Sequence, residues 1–184
     1  MRINKTTLTR KWLVSTLLAM AVFSVMATLN ARLKLLSGAS TADLQGFVMG
    51  AQYEAAFRAW GVKAYLSRAG FLLGFDYLFM PLYAAALFYS GVIVADAFSL
   101  AGSSFRRILT MAALAPVLGA GLDAVENLLQ LTMLWNRPTD ALAQMASTVS
   151  TAKWVGVGMG LVLLAGAFFA RVMARQQARI KRAG

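Results

Sequence analysis

Four long apolar runs, separated by clusters of charge, decide what this chain can become. About 20 apolar residues suffice for a helix to cross a bilayer. The length, 184 residues, would suit one soluble domain, but runs of this kind exclude that reading. Only 14% of the residues are charged and 59% are apolar, whereas a soluble domain is about a quarter charged. The chain is therefore expected to be an all-α integral membrane protein, a four-transmembrane-helix bundle forming one membrane domain over residues 1–184. The spans are expected at 12–29, 70–95, 108–134 and 147–170, with an outer loop at 31–69 and a basic tail at 171–184.

The basic residues set an orientation. With the N-terminus in the cytoplasm, the inside segments hold Arg2, Lys5, Arg10, Lys11, Arg106, Arg107, Arg171, Arg175, Arg179, Lys181 and Arg182, eleven in all. The other side holds Arg32, Lys34, Arg58, Lys63, Arg68 and Arg137, which is six. The positive-inside rule then places both ends in the cytoplasm. The expected location is a bacterial inner membrane. A basic start before an apolar stretch also describes a signal peptide, but this stretch is long and no small-x-small cleavage site precedes Arg32, so an uncleaved anchor is expected. The net charge of +11 is read as topology and contact with anionic lipid headgroups, above all at the tail, and not as a nucleic-acid footprint.

The chain has no Cys and no His. Disulfides, thiolate redox chemistry and His/Cys zinc sites are excluded. Any acid–base chemistry must use Asp, Glu, Lys, Tyr or water. No nucleophile elbow, phosphate loop or metalloprotease motif occurs; no metal site is expected, and no cofactor is specified.

The loop at 31–69 is not plainly hydrophilic. Leu44, Phe47, Val48, Ala51 and Ala55 fall at helical spacing, with Tyr53, Phe57 and Trp60 nearby, and Glu54 and Arg58 are four apart. An interfacial amphipathic helix on the outer leaflet is expected between the first two spans, the sharper alternative being a lid over a site. Trp12, Trp60, Trp135 and Trp154 read as an aromatic belt. Thr139, after Pro138, is placed to cap the last helix.

The third span carries the chemistry. Asp123, Glu126, Asn127 and Gln130 stand at i, i+3, i+4 and i+7, one stripe on a helix. Gly119 and Pro116 continue the stripe backward, and Leu118, Leu122, Val125 and Leu129 fill the other side. A charged side chain at the centre of a span costs about 3 kcal/mol and marks a functional site by default. Lys153 in the fourth span is the natural partner, on a stripe continued by Gly156 and Gly160, whose spacing lets a neighbouring backbone come close. Asp76 lies early in the second span, with Met80 and Tyr83 further along its face.

Depth links these residues. At about 1.5 Å per residue, Asp76 and Lys153 lie ~9 Å from the outer boundary, Glu126 ~13 Å and Asp123 ~18 Å. All fall in the outer half of the bilayer, with Asn30 at the rim. Pro81 and Pro116 tend to kink their helices and would free the carbonyls of Tyr77 and Ala112. Three acids against one lysine leave a formal charge of −3 + 1 = −2, so either the acids carry protons or something cationic binds. Asp123 and Glu126 are the candidate catalytic acid and base; Asp76, Asn127, Gln130, Lys153, Tyr83 and Asn30 are the candidate ligand-binding network.

Three functions fit. The preferred one binds a lipid-like amphiphile or serves as an accessory subunit, within a larger membrane complex or a homo-oligomer. The second is a membrane-embedded enzyme using carboxylate acid–base chemistry on a lipid-like substrate. The third is a small ion- or proton-coupled transporter, against which the confinement of polar groups to one half of the membrane argues.

Overall fold

In the computed structural model, residues 5–98 and 103–183 are described. Helix α1 spans Lys5–Ser37, a 3-10 helix spans Thr41–Gly46, and α2 spans Gly50–Val62. Then come α3 (Leu66–Ala97), α4 (Ser103–Ala112), α5 (Ala115–Trp135) and α6 (Asp140–Ala183). Four stretches are long and apolar enough to cross a membrane: Lys5–Ser37, Leu66–Ala97, Ser104–Trp135 and Asp140–Ala170. The chain is an all-α, four-span integral membrane protein. The helices overrun the expected spans because hydropathy marks only the hydrocarbon-competent part, while backbone hydrogen bonding continues into the flanks. Helix α6 continues through the basic tail; Arg2 and the side chains of Arg171, Arg175, Arg179, Lys181 and Arg182 lie outside the described residues.

The two intramembrane prolines behave differently. The third span breaks after Ala112, and α5 restarts with Pro116 in its first turn, where a missing N–H costs nothing. Ala113, fully buried at the break, sits where a Cβ on Gly91 would stand, so only glycine fits opposite it. Helix α3, by contrast, runs unbroken through Pro81.

Helices α3, α5 and α6 form the core, and α1 packs chiefly on α3. The outward face of α1 leaves Leu13, Leu17, Met20 and Phe23 exposed, as a lipid-facing span requires. Polar ties help hold α1 at its start: Trp12 Nε1 donates to Ser90 Oγ at 2.9 Å, and Lys5 meets Asp96 at 3.6 Å. At its other end, Lys63 Nζ donates to the Leu36 carbonyl at 2.7 Å.

The connection between α1 and α3 covers one end of the bundle. The apolar period expected from Leu44 to Ala55 is interrupted, because Leu44 sits in the 3-10 helix and α2 begins only at Gly50. The register therefore shifts: α2 buries Tyr53, Ala56 and Trp60 and exposes Ala51 and Ala55. Tyr53 and Trp60, both fully buried, pack with Leu44, Leu72, Met133 and Ala143. Trp60 is thus not a belt residue, its indole N–H donating to the Ala39 carbonyl at 2.9 Å. Trp135 and Trp154 are exposed. Glu54 and Arg58 pair at 3.0 Å, as their spacing predicts.

Helix α6 anchors this cap. Thr139 Oγ1 accepts from the Leu142 N–H at 3.3 Å, the expected N-cap. The next residue, Asp140, accepts from the Gly50 N–H at 2.8 Å. A Cβ on Gly50 would stand 2.9 Å from the Thr139 carbonyl carbon, so the glycine permits the approach. Gly46, Gly70 and Gly74 have nothing within 4 Å of the Cβ direction and do no comparable packing.

Asp43 ties the 3-10 helix down. Burial alone would raise its pKa, but hydrogen bonds from Lys34 at 2.7 Å and from the Ser40 N–H and hydroxyl, both at 2.8 Å, outweigh it and hold the carboxyl below its ordinary value. A folded-state pKa that is lowered stabilises above the unfolded value and is lost as pH falls through the folded one. Protection of Thr41–Gly46 against hydrogen exchange, normalised for intrinsic rate, is expected to hold at pH 5 and to fall progressively below about pH 4, near the unfolded Asp value. Asp43→Asn is expected to abolish that pH dependence.

Candidate functional site

The buried face of α5 is Pro116, Gly119, Ala120, Asp123, Glu126, Asn127, Gln130 and Met133. Its outward face exposes Val117, Leu118, Val125 and Leu128. A helix with this composition can turn its polar stripe only toward other helices, because lipid offers those groups no hydrogen bonds.

Lys153 projects from α6 into the stripe. Its Nζ lies 3.0 Å from Asp123 Oδ1 and 2.5 Å from Glu126 Oε2. Lys153 is 3% exposed, Asp123 6% and Glu126 0%. The first contact has hydrogen-bond geometry, whereas the second is a close ionic contact off the hydrogen-bonding direction. Neutral donors complete the cluster: Tyr83 Oη donates to Asp123 Oδ2 at 3.0 Å, and Gln130 Nε2 to Glu126 Oε1 at 2.8 Å. Buried Ser150, one turn before Lys153, also reaches Glu126.

The approach of α6 that permits this depends on glycine. A Cβ on Gly156 would stand 2.6 Å from the Ala115 carbonyl oxygen, and one on Gly160 would stand 2.9 Å from Pro116 Cβ. The close contact expected of this pair is made, and it seats α6 against α5 one turn from Lys153.

Asp76 forms a second group. It accepts from Asn127 Nδ2 at 2.8 Å, and the same amide lies 3.3 Å from the Leu73 carbonyl. Unlike Asp123 and Glu126, Asp76 is only half-buried. Tyr77 beside it is 39% exposed and donates to the Ala124 carbonyl at 3.0 Å, bridging α3 to α5. The two groups join through α5, on which Asn127 follows Asp123 by one turn.

Seven of the eight residues singled out in the sequence thus assemble between α3, α5 and α6. Asn30 is not among them. Its Oδ1 accepts from the Thr41 N–H at 3.0 Å and hydroxyl at 2.7 Å, holding the start of the 3-10 helix. Three contributors were not singled out. Ser150 continues the Lys153 stripe and was legible from spacing. Tyr77 carried no signal of its own. Tyr53 lies over the network from α2, with its hydroxyl on the Leu44 carbonyl at 2.9 Å; burial, and then the charge of Glu126, raise its pKa.

Chemically, Tyr83, Asp123, Lys153, Glu126 and Gln130 form one chain of neighbours in which a proton can be held or passed among the titratable members. Among the described residues, no group of three or more acids is arranged to hold a metal ion. Toward the α1 N-terminus no buried charge is found among the described residues: Leu87, Ile93, Val94, Leu163 and Ala167 form the core, with Ser15 and Ser90 as its buried polar side chains.

Fold and site together define a four-span membrane protein with a carboxylate–lysine network enclosed by three of its spans. No protein-family model matches the chain, and no curated protein or solved structure matches it.

Proposed function

We propose that this membrane protein is a binding or accessory subunit of a bacterial inner membrane, both ends cytoplasmic, and that Asp76 receives the head of a lipid-like amphiphile entering between α3 and α5. The observation that carries this reading is the division of the network. Lys153 engages Asp123 and Glu126 in a closed cluster, whereas Asp76 is only half-buried, with Asn127 as its side-chain donor. The excess of acids over lysine favours a head that donates hydrogen bonds or carries positive charge. The lack of buried charge beyond Leu87 among the described residues supports binding over transport, and the excess of basic residues on the N- and C-terminal side supports the orientation.

The test is mass spectrometry of amphiphiles retained by protein purified from its membrane in mild detergent. A charge-assisted hydrogen bond contributes about 1.5–3 kcal/mol, so Asp76→Asn is expected to lower occupancy by roughly ten- to a hundredfold with helicity unchanged. Undiminished occupancy would refute the proposal. The proton-competent chain from Tyr83 to Glu126 favours a second reading, an embedded enzyme. In that case the retained amphiphile is converted by the wild type and stays bound but unconverted in Glu126→Gln.

A further inference from the structure

A separate cavity of about 390 Å³ lies where the end of α1 meets the start of α3, lined by Arg32, Ser67 and Arg68 above and by Leu29, Phe71 and Leu72 below. We propose that it is a binding site for an anionic glycerophospholipid, with the phosphate between Arg32 and Arg68 and an acyl chain along Phe71.

Charge complementarity is the first argument. The cavity has two guanidinium groups and no acid in its lining. Among the described residues neither arginine pairs with a carboxylate: Lys34 takes Asp43 and Arg58 takes Glu54, while Arg68 rests over the Tyr65 ring at 5.0 Å. That stacking steadies Arg68 and leaves its donors free for an oxyanion, to which the guanidinium fork is matched. Ser67 adds a hydroxyl donor.

Level is the second argument. Arg32 stands five residues before the end of α1 and Arg68 two residues after the start of α3. At about 1.5 Å per residue these are ~8 and ~3 Å from the helix ends, where headgroups meet the bilayer. The third argument is the floor. Phe71 is 57% exposed and stacks on Phe75 with ring centroids 5.4 Å apart. Gly74 follows with nothing near its Cβ direction. A polar mouth thus opens onto an apolar track that runs into the hydrocarbon, which suits a lipid better than a free anion.

The site is distinct from the network at Asp76 and does not rest on it. The experiment is native mass spectrometry of the full chain titrated with phosphatidylglycerol, phosphatidylcholine or inorganic phosphate. Wild type is expected to prefer phosphatidylglycerol over phosphatidylcholine by roughly tenfold. Arg32→Gln/Arg68→Gln is expected to lose most of the preference, down to what the basic tail alone supplies, and Arg58→Gln, which removes one charge elsewhere, to keep it in full. Helicity by circular dichroism confirms that the variants are folded. Equal binding of the two lipids by wild type, an undiminished preference in the double variant, or displacement of the lipid by inorganic phosphate would each overturn the proposal.

Discussion

Lys153→Met is expected to destabilise the folded protein by about 3–5 kcal/mol, the usual result of removing one partner from a buried ion pair. The reason lies in what remains. Asp123 and Glu126 stay buried against the former ammonium, and their burial shields them from solvation by bulk water. Tyr83 and Gln130 still donate, one to each acid, but neither cancels charge. Methionine keeps the length and apolar stem of lysine, so packing loss is a minor part of the effect. Reversible unfolding in mixed detergent micelles measures the loss. The triple variant Lys153→Met/Asp123→Asn/Glu126→Gln removes every charge of the cluster and is expected to recover most of it. If the single variant is as stable as wild type, Lys153 is not the electrostatic centre of the bundle.

The second large effect is steric. Gly156→Val places a Cβ 2.6 Å from the Ala115 carbonyl oxygen and 3.3 Å from Gly119 Cα. Both are backbone atoms, and neither can yield as the tip of a flexible side chain would. Helices α5 and α6 must separate, at a cost of about 3 kcal/mol, the upper end of the usual range for overpacking. Separation also draws Lys153, three residues away, off Asp123. The two variants should therefore be non-additive, with Lys153→Met costing less in the Gly156→Val background. Gly158→Val serves as the control, since nothing lies within 4 Å of its Cβ direction. Equal losses at 156 and 158 would show that the approach of α6 does not govern the network.

These effects were legible in the sequence to different degrees, for physical reasons. The polar stripe of α5 was readable because helix geometry fixes which residues share a face. That Lys153 meets it was readable because a short turn, residues 136–139, joins two antiparallel spans and so matches depths residue by residue. Asn30 shows the limit of that reasoning. Depth gives a level and not a direction, and α1 packs on α3, away from the α5–α6 seam. The interfacial segment shows another limit. The 3-10 helix at Thr41–Gly46 breaks the period, so the buried face of α2 could not be phased from Leu44. Tyr53 and Trp60 entered the core in consequence, and the covering of the network by α2 was out of reach of periodicity.

The order of the spans along the chain has a consequence for biosynthesis. Asp76, Asp123 and Glu126 are all translated before the cation that meets two of them. The third span reaches the membrane with two uncompensated acids, each costing about 3 kcal/mol near a helix centre. The fourth span brings Lys153 only 27 residues after Glu126, across the four-residue turn between α5 and α6. The economical route is joint entry of the two as a helical hairpin, with the ion cluster closed before either helix is released to lipid. Helix α1, which shares no charge with the network, is free to insert on its own.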